Sequence, residues 1–378
     1  MGNNYYFLQA GPLEFCQYPY TPGRGLAYGK EEHTVTLLED GSVKFSVYDP
    51  AAESMEVEFT EEDRRIALVK DEQDVWRAVV SGITAGLRYM KWYKDGVEMI
   101  QKKAPVLYGF GGVHNYVEIP EENEDFYHLK QVPHGSLRTE YYESQFTGET
   151  RSCIVYTPPS YDANPDKAYP VLYLLNGGGE NETAWSQQGK INFILDNLIA
   201  EGKCGEMLAV MNAGYVFSTK EWETDDYSAL MDNISQLLMR DCIPFIEQKF
   251  RVSPDRAHRA VCGASAGASQ TQWMAIHYPE LVDYVGVFSG RLLEEIKEQP
   301  GHYDPFSFYR EISPGEYNAL FQYVLYARGQ DESGQQQKAE AEFLRAEGYH
   351  IDFYTAPGRH EWHFWRKAVR EFITHLFK

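Results

Sequence analysis

Cysteine is scarce in these 378 residues, and what there is stands apart. The five cysteines, Cys16, Cys153, Cys204, Cys242 and Cys262, form no C-x-x-C pair. Neither a disulfide framework nor a site of closely spaced zinc thiolates is expected, and the thiols read as reduced. No stretch approaches the ~18 consecutive apolar residues that a membrane-crossing helix needs. The opening Met1-Gly2-Asn3-Asn4-Tyr5-Tyr6 carries neither the basic nor the apolar part of a secretion signal. The chain as written is therefore expected in the cytoplasm, although a secreted protein trimmed of its signal would read the same way. Basic residues are short as well. Lys and Arg number 35 against 56 Asp and Glu, giving a net charge of −21 and a pI near 5.0. A field of that sign disfavours nucleic acid and anionic membrane surfaces, and neither is expected as a partner. It leaves a homo-oligomer open.

Two further absences narrow the chemistry. The run Asn176-Gly177-Gly178-Gly179 is followed by Glu180 and not by Gly-Lys-[Ser/Thr], so it does not read as a phosphate loop. The segment His360-Glu361-Trp362-His363 begins like H-E-x-x-H, but Phe364 stands where the second ligand would fall. No metal and no cofactor are expected.

What is present is an ordinary soluble composition, 43% hydrophobic and 24% charged, with an aromatic share of 15% that includes 28 Tyr. The length suggests two domains, at about 100–200 residues each. Residues 33–120 alternate with period two, in Val43–Tyr48, Met55–Phe59, Val75–Val80 and Tyr89–Tyr93, with turn signals such as Lys94-Asp95-Gly96 between them. Such spacing predicts a small all-β, immunoglobulin-like sandwich. Residues 1–32 read as an N-terminal extension. The polar, proline-broken stretch from Ile119 to Asp125 opens a linker placed at 121–139.

From 140 to 378 strands alternate with helical segments: Cys153–Tyr156, Val171–Leu175, a helix over Ile191–Ala200, Met207–Met211, and a long helix over Ser228–Gln248. Strands follow at Ala260–Cys262, Tyr323–Ala327 and Ile351–Tyr354. This alternation predicts a mostly parallel sheet flanked by helices, as in the α/β-hydrolase fold.

Gly263-Ala264-Ser265-Ala266-Gly267 fits the G-x-S-x-G elbow, with an apolar strand before it and a helix from Ala268 to His277 after it. A serine on so sharp a turn needs small neighbours at both sides, because strand and helix backbones approach closely there. Its hydroxyl is a weak nucleophile until a base takes its proton. The order Ser, Asp/Glu, His at successive strand ends points to Asp331 and His360 as acid and base. His350, His363, His375 and Asp304 sit less suitably. Two backbone N–H groups must face the developing oxyanion. Ala266, after the nucleophile, supplies one, and the triple glycine after Leu175 supplies the other. Trp185 and Trp362 flank these loops and are candidates for stacking on a substrate ring, against the commoner role of core packing.

An ordered set of segments resembles the feruloyl and acetyl-xylan esterase branch of the carbohydrate esterases, which includes enterochelin-esterase-like proteins. The set is Tyr169–Gly179 with Glu182-Thr183-Ala184-Trp185, then Asp241–Glu247, the elbow, Tyr284–Gly290, and Gly358–Trp365, similar to a G-x-H-x-W-x-x-W ending. The resemblance implies an α/β-hydrolase fold with Ser265 as nucleophile, Asp331 as acid, His360 as base, and Gly178 and Ala266 as oxyanion donors. The first domain is similar to the glycogen-binding-type early-set sandwich often fused to these esterases. Two positions depart from the family. Asn176 stands where His is common, and Ala266 where a larger residue, often Met, is common. The expected activity is hydrolysis of a small-molecule or oligosaccharide ester through an acyl-enzyme, with feruloyl, related phenolic or acetyl esters of sugars as substrates. Two rivals are a siderophore trilactone esterase of the enterochelin type and a carbohydrate-binding protein with a decayed hydrolase domain.

Overall fold

Asp95 and Gly96 show how the first part of the chain turns. Both have positive φ, 51° and 78°, and Lys94 and Val97 pair across them, so a two-residue turn joins antiparallel strands. The Asp95 carboxylate then accepts from the amides of Glu53 (2.7 Å) and Ser54 (2.8 Å). The computed structural model of the protein describes residues 34–214, 216, 227–290, 313–330 and 332–378, with the short strands Tyr20–Thr21 and Gly25–Leu26. Cys16, Asp304 and Asp331 lie outside the described residues, as does most of the segment read as an extension. The chain divides into two units after Asp125.

In the first unit the four alternating runs all form strands, and two antiparallel sheets result. One, four-stranded, holds Val43–Tyr48 and Val75–Val80 at its centre. The other, six-stranded, is built around Gly86–Lys94, paired with Met55–Phe59 and Gly112–Ile119. Inward residues of both sheets share one core, where Phe45 meets Trp92 edge to face at 5.4 Å. Both Trp76 and Trp92 are buried in it.

The second unit, Phe126–Lys378, is organised by eight strands. They are β1 (Ser136–Glu143), β2 (Thr150–Thr157), β3 (Val171–Leu175), β4 (Leu208–Asn212), β5 (Arg259–Ala264), β6 (Tyr284–Phe288), β7 (Tyr323–Gly329) and β8 (Asp352–Ala356). They lie in the order β1-β2-β4-β3-β5-β6-β7-β8. The β1–β2 and β2–β4 pairs are antiparallel, and every later pair is parallel. Strands β3, β4, β5 and β6 are buried throughout, which explains their continuous apolar runs. Helices α1 (Ala184–Gln187), α2 (Ile191–Ala200), α3 (Tyr227–Leu237), α4 (Ile243–Lys249), α5 (Ala266–His277), α6 (Pro314–Leu320), α7 (Glu332–Ala346) and α8 (Trp362–Ile373) occupy the connections.

Two expectations shift. The long helix over 228–248 is interrupted by a wider π-turn at Leu238–Cys242. Pro244 lacks an N–H and its ring crowds the carbonyl of residue 240, so the preceding turn opens to accommodate it. The stretch placed in the linker, 126–139, belongs to the second unit, and β1 begins within it at Ser136. Asn197 on α2 donates to the carbonyls of Phe126 (2.8 Å) and His128 (2.9 Å), and Asp196 accepts from the Gly135 amide (2.8 Å). No helix among the described residues is long and apolar enough to cross a membrane.

The strand order fixes where a site can form. From β3 the chain crosses to β4 on one side, while β5 leads on to β6 on the other. The crevice at the carboxyl ends of β3 and β5 is thus a topological switch point, the usual ligand position in such sheets.

Candidate active site

Ser265 stands at that switch point, between β5 and the first residue of α5. Its backbone is strained, with φ 58° and ψ −118°, a region that residues with a side chain seldom adopt. The amide of Ser265 donates to Phe288 O at 2.9 Å, holding the turn against the end of β6. Both elbow glycines are required by close approach. A Cβ on Gly263 would lie 2.9 Å from the Ala268 amide nitrogen, and one on Gly267 would lie 2.5 Å from Leu175 O. The second contact presses the elbow against the end of β3.

His360, 95 residues further on, brings Nε2 to 2.8 Å from the Ser265 Oγ. A hydroxyl within hydrogen-bond reach of an imidazole nitrogen is the arrangement an activated nucleophile needs. His360 is exposed and Ser265 partly so, which leaves the pair open to a ligand. The histidine loop rests on the end of β7 because Gly329 offers no side chain. A Cβ there would lie 2.8 Å from the Gly358 carbonyl carbon and 3.1 Å from Arg359 O. Gly358 itself has φ 135°, a second backbone requirement in the same loop. Gly358 opens the G-x-H-x-W-x-x-W segment of the sequence, whereas Gly329 carries no sequence signal of its own. Asp331, two residues after β7, lies outside the described residues.

The glycine loop after β3 lies beside Ser265. Gly177 is buried, and a Cβ on it would lie 3.5 Å from the Ser265 Cβ, whereas Gly178 is exposed. Ala266 follows Ser265 as the first residue of α5. Asn176 does not line a wall of the site. It is 2% exposed, its Oδ1 accepts from the Gly214 amide (3.0 Å), and its Nδ2 donates to Asn181 O. Gln270 on α5 adds a bond to Gly214 O at 2.9 Å. Asn176 therefore braces the loops after β3 and β4 against each other.

Trp185 and Trp362, read as candidates for stacking on substrate, are corrected by their burial. They are 1% and 3% exposed and pack edge to face at 5.2 Å, which leaves no open ring face for a ligand. Trp185 Nε1 donates to Leu175 O (3.0 Å), and Trp362 Nε1 to Glu180 Oε1 (3.3 Å). His360 meets Trp365 edge to face at 5.2 Å. Burial pushes the Cys262 thiol, in the strand leading to the elbow, well up from its usual value, so it stays neutral and unreactive. The cysteines Cys153, Cys204, Cys242 and Cys262 are free thiols. Among the described residues no group of three or more His, Cys, Asp or Glu is placed to hold a metal ion.

A family model described as a putative esterase matches residues 144–375. The chain belongs to the esterase family. Over 357 residues the chain is 30% identical to an endo-1,4-beta-xylanase/feruloyl esterase of Xylanibacter ruminicola, covering 90% of this chain and 45% of that protein. It is 31% identical over 152 residues to endo-1,4-beta-xylanase Y of Acetivibrio thermocellus, covering 37% of this chain and 13% of that one. The chain thus spans less than half the length of either relative. A ferulic acid esterase from Anaeromyces mucronatus, solved with ferulic acid, is 25% identical with a TM-score of 0.55, over 67% of this chain and 96% of that one. An enterobactin esterase from Shigella flexneri, solved with enterobactin, has a TM-score of 0.63 at 14% identity, over 88% and 92%. At that identity the likeness is one of fold.

Proposed function

We propose that the esterase hydrolyses carboxylic esters through an acyl-enzyme on Ser265. The observation that carries this reading is the 2.8 Å contact between Ser265 Oγ and His360 Nε2, made by a serine held at φ 58°. The hydroxyl oxygen attacks the ester carbonyl as Nε2 takes its proton. The amides of Ala266 and Gly178 receive the oxyanion, and the alcohol departs with the proton from His360. Water then repeats the sequence on the acyl group. Asp331, after β7 in chain order, orients the imidazole and stabilises its cation.

The substrates are esters of sugars with ferulic or related phenolic acids, or with acetate. The feruloyl-esterase relatives support this choice. The net charge of −21 speaks against catecholate–iron complexes, which are anionic. The first unit is an early-set sandwich, in keeping with its two antiparallel sheets around one core.

Ser265→Ala tests the mechanism. It should lower kcat on methyl ferulate by about 10⁴–10⁶ and abolish labelling by a fluorophosphonate. Near-normal turnover by that variant would refute the assignment. Faster wild-type cleavage of a catechol trilactone than of methyl ferulate would replace the substrate class.

A further inference from the structure

We propose that Glu180 is a positioning residue for ester hydrolysis, its buried carboxylate locking the glycine loop beside the nucleophile to the helix that follows the base. The inference rests on Ser265 and His360 acting as nucleophile and base.

Glu180 is only 5% exposed, and both of its oxygens are engaged. Oε1 accepts from Trp362 Nε1 at 3.3 Å, and Oε2 accepts from Gln188 Nε2 at 2.9 Å. Gln188 is fully buried, and its own carbonyl accepts from Arg366 Nε at 2.8 Å. Trp362 and Arg366 are four residues apart on α8, so they share a face of that helix. The segment after β3 is therefore tied twice to the first turns of α8, which begins two residues after His360. The other end of Glu180 meets the nucleophile's neighbour. A Cβ at Gly177 would lie 3.9 Å from Glu180 Cγ and 3.5 Å from Ser265 Cβ. The Glu180 amide closes the turn by donating to Gly177 O at 3.4 Å.

The reason this bears on rate is geometric. The oxyanion donor rides on one loop and the base on another, 182 residues apart at the Glu180–Trp362 bond. Donor, hydroxyl and imidazole must keep their mutual geometry to within ~0.5 Å, and a slip of ~1 Å costs ~10²-fold in rate. A carboxylate that accepts one N–H at each oxygen holds two segments at a fixed separation. An amide of the same shape has an acceptor at only one end, so it keeps one tie and loses the other.

The test compares Glu180→Gln, Trp362→Phe and the double variant, with live sites counted by fluorophosphonate labelling and kinetics followed on 4-nitrophenyl acetate. Each single variant should lower kcat per labelled site by about 10–100-fold, with KM within about threefold. The double variant should lose less than the product of the two single losses, because a tether released at one end holds nothing at the other. Unchanged kcat per labelled site, or losses that simply multiply, would overturn the proposal and leave Glu180 a packing residue. Should Glu180→Gln fail to fold, Trp362→Phe carries the test alone, since it removes the N–H while a smaller aromatic ring stays in the pocket. A wild-type protein that neither labels nor turns over the ester instead refutes the nucleophile assignment, and this inference falls with it.

Discussion

Replacing Gly267 by alanine measures how much the reactivity of Ser265 depends on the elbow being pressed against β3. The added Cβ would lie 2.5 Å from Leu175 O and 2.6 Å from Asn176 O. Both are main-chain oxygens and cannot swing aside as a side-chain tip would. Ordinary contact begins at 3.4 Å, so elbow and strand must part by about 0.9 Å, the shortfall from 3.4 to 2.5. Overpacking of this kind costs ~1–3 kcal/mol, which in a unit of this size lowers Tm by roughly 3–10 °C. The same displacement draws Ser265 away from the glycine loop, and a misplacement near 1 Å costs ~10²-fold in rate. Calorimetry and ester turnover per folded molecule would read the two effects separately. Gly205→Ala is the control. Nothing lies within 4 Å of its Cβ position, so its stability should stay within about 0.5 kcal/mol of wild type. An alanine at 267 that melts and turns over like wild type would refute the reasoning, because the close approach would then have been relieved at no cost.

Asp196→Ala should be among the more destabilising substitutions away from the site. It strands the buried Tyr156 hydroxyl (2.7 Å) and the Gly135 amide (2.8 Å), and it removes the partner of His134 Nδ1 (2.8 Å). At ~1–3 kcal/mol for each unsatisfied donor, a loss of roughly 3 kcal/mol in urea unfolding is expected, and a loss below ~0.5 would contradict it. In the first unit, the hydrogen bond from Lys94 Nζ (2.6 Å) and the Ala51 and Ala52 amides hold the Asp49 carboxyl below its usual range. A depressed folded value means the contribution is complete above the unfolded value near ~3.9 and fades as pH falls through the folded one. Amide protection factors of peptides from 43–99, taken relative to the intrinsic exchange rate at each pH, should therefore fall more between pH 5 and pH 3 in wild type than in Asp49→Asn. An equal fall would remove Asp49 from the acid response.

Much of the candidate site's geometry was legible because its requirements are local. Ser265 declares itself through glycines two residues away on either side, and the structure explains both by main-chain crowding at Ala268 and Leu175. His360 was legible from its place after an apolar strand, since the carboxyl ends of parallel strands converge. The sandwich strands were read from strict alternation, which burial of one face enforces. The misreadings have a common physical origin. Whether Trp185 and Trp362 expose a ring depends on each other, at 177 positions' separation, and no local pattern encodes that. The linker boundary at 139 cuts through β1 because it is an edge strand whose Ser136–Tyr141 stretch has no buried residue, so it lacks the apolar signal of its neighbours. Asn176 reads in the sequence only as a departure from the family, yet its amide is consumed by two loops that sequence alone does not bring together.

The backbone of Ser265 carries one more implication. A side-chain-bearing residue at φ 58° costs the fold on the order of 1–3 kcal/mol, a sizeable share of the ~5–15 kcal/mol that separates folded from unfolded protein. Glycine would sit there without complaint. On the role proposed for Ser265, the road to a sturdier molecule and the road to an inert one begin with the same substitution, so thermal selection alone, with no demand on activity, would steer the lineage towards an α/β-hydrolase in shape only.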